Sequence, residues 1–198
     1  MIRSEKLELL KKYSEELKVV QKHEIDEKKN FLKINSYQIK LNNGKEFIRE
    51  QLIKGNNLSS AVIIVPILKN GEILTIVEPR VFTKETVGIG FPAGYIEVGE
   101  QSSIAALREL KEETGYVPNN LIKMDEAYQD EGISSGLNKF YIAFDCEKKY
   151  DQQLDGDEQI KYLTLTLDEL IELEKKNYIK SLNCKFALNK AKEYVKGR

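Results

Sequence analysis

The chain has no tryptophan, one histidine, two cysteines and four prolines among its 198 residues, and each scarcity closes a route. With His23 alone, no mechanism that needs a histidine base beside a second, metal-ligating histidine can operate. His23 falls at the polar end of a helical segment and reads as a surface residue. Cys146 and Cys184 lie far apart and form no Cys-x-x-Cys pattern. That argues against a disulfide framework or a zinc site and for two buried, reduced thiols. No apolar run approaches the roughly 20 residues that cross a bilayer. The longest, Ala61 to Leu68, contains Pro66 and reads as a buried strand. An excess of one charge is missing too: 31 basic against 32 acidic residues give a formal charge of -1. The whole-chain attraction behind non-specific nucleic-acid binding is therefore absent. Met1 to Lys6 carry both signs of charge and show neither the apolar stretch nor the cleavage site of a secretory signal. The expectation is a cytoplasmic protein with no membrane and no nucleic-acid partner.

What is present suits a globular chain, with 41% hydrophobic and 32% charged residues. From Ser4 to Val20 a helical stripe runs through Leu7, Leu10, Tyr13 or Ser14, Leu17 and Val20, which predicts an amphipathic helix packed on its own domain or on a partner. After the charged stretch Asp26 to Lys29, Phe31 to Leu41 and Lys45 to Ile53 flank Asn42-Asn43-Gly44, a hairpin pattern. Ala61 to Leu68 and Ile73 to Val77 repeat it around Asn70-Gly71. Gly88 to Gly94 reads as an irregular extended loop, a scaffold rather than a phosphate cradle. A helix from Gln101 to Thr114 is closed by Gly115 and followed by Pro118. Leu121 to Tyr128, Lys139 to Cys146 and Gln159 to Leu165 read as strands. Two helices end the chain, Asp168 to Lys176 entered through Thr166 and Cys184 to Lys196 with Asn183 as N-cap. Strands with a few inserted helices predict an α/β sandwich around a mostly antiparallel or mixed sheet.

One helix breaks a local rule. At about 100° per residue, Ile104, Leu107 and Leu110 fall on one side of the segment 101–114, and Glu109, Glu112 and Glu113 on the other. These carboxylates gather at the negative end of the helix dipole, where acidic side chains are disfavoured. Arg108 alone cannot neutralise three of them together with Glu100. Either the face is a solvated acidic surface, or it holds a divalent cation. All-oxygen donors select Mg²⁺ or Mn²⁺, and Mg²⁺ recruits phosphate oxygens to complete its shell, so the second alternative implies a phosphorylated substrate.

The longer string decides between them. Gly94-Tyr-Ile-Glu-Val-Gly-Glu100 is followed, after seven residues, by Arg108-Glu109-Leu110-Lys111-Glu112-Glu113-Thr114-Gly115-Tyr116. This resembles the Nudix box, Gly-x5-Glu-x7-Arg-Glu-U-x-Glu-Glu-x-Gly-U with U apolar; every fixed position is met, and Tyr116 is the least usual of the U residues. The resemblance implies a Nudix α/β/α sandwich around a mixed sheet, with an N-terminal helix and hairpin appendage. It implies hydrolysis of a nucleoside diphosphate linked to another moiety. By position, Glu109 and Glu113 would be the main metal ligands, Glu112 a further ligand with a catalytic part, and the carbonyl of Ala93 another ligand. Glu100 would orient the cluster with Arg108.

Upstream, Leu41 to Glu50, Ala61 to Leu68 and Val77-Glu-Pro-Arg80 look like the N-terminal half of ADP-ribose pyrophosphatases. In those enzymes the hairpin takes part in a homodimer and an arginine ending the strand before the box contacts substrate. Arg80 matches that arginine, and Arg49 matches a second more loosely. Downstream, Asp157-Glu158-Gln-Ile160-Lys161 resembles the acidic loop that supplies a catalytic carboxylate, which places Glu158 as base or as orienter of water, with Asp155 and Asp157 as alternatives. On this basis residues 1–57 form the helix and dimerising, substrate-contacting hairpin, and 58–198 the hydrolase domain with its box at 94–116. The expected reaction is cleavage of a nucleoside diphosphate sugar, ADP-ribose first, with Mg or Mn. One departure bears on selectivity: where a proline is usual, this chain has Glu131, within Gln129 to Gly136. A different sugar nucleotide, a dinucleotide, or a non-catalytic nucleotide-binding regulator are the competing expectations.

Overall fold

The computed structural model describes residues 2–25, 31–55 and 59–195. The stretch Asp26 to Lys29, the domain boundary at 57/58 and the helix end at Lys196 lie outside the described residues. In chain order the elements are α1 (Ser4–Glu16), β1 (Leu32–Lys40), β2 (Glu46–Lys54), β3 (Ala61–Leu68), β4 (Ile73–Pro79), β5 (Val87–Gly90), β6 (Ala93–Tyr95), α2 (Ser102–Thr114), β7 (Tyr116–Val117), β8 (Asn120–Tyr128), β9 (Leu137–Lys148), β10 (Lys161–Leu165), α3 (Leu167–Lys175) and α4 (Leu182–Val195). No helix among the described residues is long and apolar enough to cross a membrane.

The main sheet runs β10-β4-β3-β9-β7, with β5 on β4, β6 on β3 and β8 on β9. It is mixed, because β3 and β9 are parallel while the remaining pairs are antiparallel. Period-two alternation along β3 sorts its side chains between two layers. Ile63, Val65 and Ile67 join one apolar cluster with α1, α3 and α4, and Val62 and Ile64 join another with Ala105, Ala106 and Leu110 of α2. Strand β9 repeats the division, with Phe140, Ile142 and Phe144 against Tyr141 and Ala143. The result is the expected α/β/α sandwich, with α2 on one side of the sheet and, among the described residues, α1, α3 and α4 on the other.

Three local expectations change. The stretch Gly88 to Gly94 is strand at both ends: β5 pairs with β4 and β6 with β3, since glycine still offers its backbone N–H and C=O to a neighbouring edge. α1 stops at Glu16, which leaves Val20 95% exposed and His23 beyond the helix, so the apolar stripe ends at Leu17. α4 begins at Leu182, where Ser181 Oγ accepts from the Cys184 N–H at 3.4 Å, so Ser181 takes the capping role. Asn183 lies inside the helix and accepts from Asn138 Nδ2 at 3.3 Å.

The two N-terminal elements lead separate lives. α1 buries Ile2, Leu10 and Leu17 in the main cluster, so it packs on its own domain. The β1–β2 hairpin forms a two-stranded sheet of its own, is tied to the loop before β9 by the Leu52 N–H donating to the Ile133 carbonyl at 2.7 Å, and leaves Leu32, Ile34 and Ile48 more than half exposed.

Candidate active site

α2 is rotated from the stripe drawn on its sequence, of which Leu110 alone faces the sheet. Ala105, Ala106 and Leu110 seat it on the sheet, while Ile104 and Leu107 look outward and Glu109 and Glu113 are buried. The small alanines let the helix settle closely enough to carry two carboxylates into the protein. Arg108 spends its guanidinium on this region. Its Nε and Nη2 each donate to Glu100 at 3.0 Å, Nη1 donates to Glu109 at 2.8 Å and Glu112 at 3.1 Å, and Nη2 also reaches the Tyr95 carbonyl at 3.1 Å. The pairing with Arg108 holds Glu100 below the usual carboxylate range.

Glu109 and Glu113 go the other way. Burial pushes Glu109 up to about 7 against the pull of Arg108. Burial, reinforced by the neighbouring charges of Glu78 and Glu109, pushes Glu113 well above its ordinary value, although the Ala93 N–H donates to it at 3.1 Å. Gly94 leaves room for Glu109: a Cβ there would lie 2.0 Å from Glu109 Oε1, so with any other residue the carboxylate would have to swing away from its present place against β6. Glu78, which the sequence reading passed over, belongs to the same group. It stands largely buried on β4, is raised by that burial, and interacts electrostatically with Glu158. Its signal in the sequence was only its place two residues before Arg80.

The C-terminal end of α2 is fastened by the loop that carries Glu158. Its last carbonyls accept from Gly115 N (Lys111, 2.7 Å), Gln153 N (Glu112, 2.8 Å), Gln152 Nε2 (Glu113, 2.6 Å) and Lys148 Nζ (Thr114, 3.0 Å). The loop therefore satisfies the orphan acceptors of the helix, and Lys148 adds positive charge at the negative end of the dipole. The same strap brings Glu158 within electrostatic reach of Glu109 and Glu113. Glu158 is fixed within the loop, its carboxylate accepting from Asp155 N at 3.1 Å; Asp155 and Asp157 are exposed.

Beside this cluster opens a cleft of about 1030 Å³, with Glu78, Arg80, Ala93, Gly94 and Tyr95 on its floor. Arg80 is paired with Glu78, and its stem lies in the space that Gly88 leaves empty, since a Cβ at 88 would come 2.6 Å from Arg80 Cγ. The opposite wall is α1. Arg49 is elsewhere: it stacks over Phe47 at 4.9 Å and lines a separate shallow depression of about 350 Å³ with Tyr128, Glu131 and Ser134. Glu131, the departure noted in the sequence, thus lies outside this chain's own cleft.

Among the described residues no three His, Cys, Asp or Glu side chains already stand in ligand geometry, and Arg108 is paired with both Glu109 and Glu112. The donor chemistry nevertheless fits a hard dication. All the donors are oxygens, and Glu109 and Glu113 are desolvated beside further carboxylates with too little positive charge between them.

Residues 57–183 match the family described as NUDIX domain. The ADP-ribose pyrophosphatase of Bacillus subtilis (strain 168) is 30% identical over 136 residues, 68% of this chain and 71% of that protein. The ADP compounds hydrolase NudE of Escherichia coli (strain K12) is 30% identical over 170 residues, 83% of this chain and 86% of its own. A crystal structure of an ADP compounds hydrolase superposes with a TM-score of 0.71 at 27% identity, over 88% of this chain and 91% of that one.

Proposed function

Because the chain belongs to the NUDIX family, we propose that it is a divalent-metal-dependent pyrophosphohydrolase acting on a nucleoside diphosphate sugar, with ADP-ribose the first candidate. Water adds to one phosphorus, the bridging P–O bond breaks, and ADP-ribose yields AMP and ribose 5-phosphate. The observation that carries this is the pair of buried carboxylates, Glu109 and Glu113, set beside a cleft whose floor presents Arg80. The names of the two relatives support the choice of substrate.

Glu109, Glu112 and Glu113, with the main-chain oxygen of Ala93, would hold Mg²⁺ or Mn²⁺. A dication held there would supply positive charge for the phosphoryl oxygens and lower the pKa of water. Arg80 offers a planar fork to the diphosphate. Glu158, with Glu112, takes the proton of the attacking water or orients it. Glu100 keeps Arg108 aligned along the acidic face. Arg49 lies outside its own chain's cleft, so substrate contact from it belongs to a homodimer in which the exposed hairpin meets a second copy. Two unpaired buried thiols fit a reducing, cytoplasmic setting.

The test is a panel of ADP-ribose, other nucleoside diphosphate sugars and dinucleotides with Mg²⁺ or Mn²⁺, with product identification, beside Glu113→Gln. AMP and ribose 5-phosphate are expected from the wild type, and a drop of about 100-fold or more in a folded variant. Equal turnover in both proteins would reject the assigned site. Nucleotide binding with no turnover in the wild type would favour a regulator instead.

A further inference from the structure

The walls of the cleft do not share the charge of the chain. The whole sequence is close to neutral at -1, yet the cleft is lined by six lysine and arginine residues against three glutamates. Some of these cations are already engaged: Lys176 with Glu172 at 2.6 Å, and Lys180 with Glu85. Lys18 stands 4.0 Å from Glu15, at the limit of an ion pair. Lys11 and Lys84 form no ion pair among the described residues. Cations gathered in a concave site focus a positive field, and those without a carboxylate partner are available to an anion.

One of them, Lys11, comes from α1 and another, Lys18, from just past its end, and both lie outside the segment that matches the family. Lys11 and Ser14, three residues apart, share a face of α1 beside the buried Leu10, and Lys18 follows just past the helix, which ends at Glu16. All three line the cleft. The helix is held at both ends. Arg3 grips Glu169 and Glu72 at 2.7 Å, and beyond the helix the Val19 N–H donates to Thr86 Oγ1 at 3.1 Å in the loop between β4 and β5. Two half-exposed tyrosines, Tyr95 and Tyr178, line the same space and offer ring faces to a base.

We infer that α1 and the residues just past its end extend the substrate site into an anion-reading wall, where Lys11, Ser14 and Lys18 recognise a phosphate on the nucleoside half of the substrate in addition to the scissile diphosphate. The inference rests on the proposed pyrophosphohydrolase reading and adds to its substrate class a preference for nucleoside diphosphate derivatives phosphorylated on the nucleoside ribose over ADP-ribose itself.

The experiment compares, by titration calorimetry, the affinity of the full-length protein for AMP and for adenosine 2′,5′-bisphosphate, which differ by one phosphate and contain no diphosphate bond to cleave. The wild type should prefer the bisphosphate about tenfold, with the preference shrinking as salt rises. Lys11→Glu combined with Lys18→Glu should bring the ratio to about one, and the neutral pair Lys11→Met with Lys18→Met should lower it by a smaller factor. Both sites are exposed, so circular dichroism should show the fold unchanged. Equal wild-type affinities, or a preference that survives the double charge reversal, would overturn the inference. Failure of the wild type to cleave ADP-ribose would instead remove the proposed activity, and the affinity ratio would still decide what α1 does.

Discussion

A methyl group at position 94 would lie 2.0 Å from the Glu109 carboxylate, the movable end of that side chain. Gly94→Ala should therefore displace a proposed ligand rather than loosen the backbone, lowering kcat about 100-fold while the protein remains folded by circular dichroism. A neighbouring glycine makes a different prediction. A Cβ at 88 would meet Arg80 Cγ, near the root of the side chain where rotation gives little relief. Gly88→Ala should push the guanidinium off its place, as should Glu78→Gln by weakening its partner. Both should raise KM for the diphosphate substrate by about three- to tenfold and leave kcat within about twofold. A kcat loss with KM unchanged would show that Glu78 and Gly88 serve the carboxylates instead. At this scale the sequence was uneven. Glu109, Glu112, Glu113 and Glu100 could be read from spacing, whereas Glu78 and Gly88 meet Arg80 through the β4–β5 register, Glu78 opposite Gly88, which no local pattern encodes.

At the scale of elements, α1 is held by a device whose acid sensitivity can be worked out. Glu169 accepts from Arg3 Nε and from the Arg3 N–H, and it also closes the capping box of α3 with Thr166. These contacts, Arg3 foremost, hold its carboxyl down at about 2. A depressed carboxylate stabilises the fold fully above its unfolded value of about 4.3, and that contribution is lost as pH falls through the folded value. Urea unfolding should thus show a loss between about pH 4.5 and pH 2, and Arg3→Ala should flatten it and lower the stability at pH 7. An unchanged acid slope in Arg3→Ala would assign the sensitivity to other carboxylates. Helix α1 was visible as a stripe, but its clamp was not, since Arg3 and Glu169 are 166 residues apart. Val20 continued the stripe in the sequence and lies exposed in the structure, because the chain leaves the helix to reach Thr86.

Across the whole molecule, alternation along β3 and β9 was enough to foresee two packed layers, but it could not say which face of α2 turns inward. The small Ala105 and Ala106, not the larger Ile104 and Leu107, seat that helix, and the price of the choice is that Glu109 and Glu113 are buried. A carboxylate whose folded pKa is raised weakens the fold as pH climbs from its unfolded value, and above the folded value the whole penalty is present. At pH 8 and without metal, the double variant Glu109→Gln with Glu113→Gln should therefore unfold at a higher temperature than the wild type. A divalent cation that binds only the folded state adds about 2.7 kcal/mol at a hundredfold excess over its Kd. For a chain of this length that corresponds to a rise of roughly 5–10 °C. The wild type should gain this with Mg²⁺ or Mn²⁺ and lose it with a chelator, and the double variant should do neither. The two melting temperatures should thus exchange order when metal is added. If the variant melts below the wild type under both conditions, the buried glutamates stabilise the fold by themselves and the metal assignment falls.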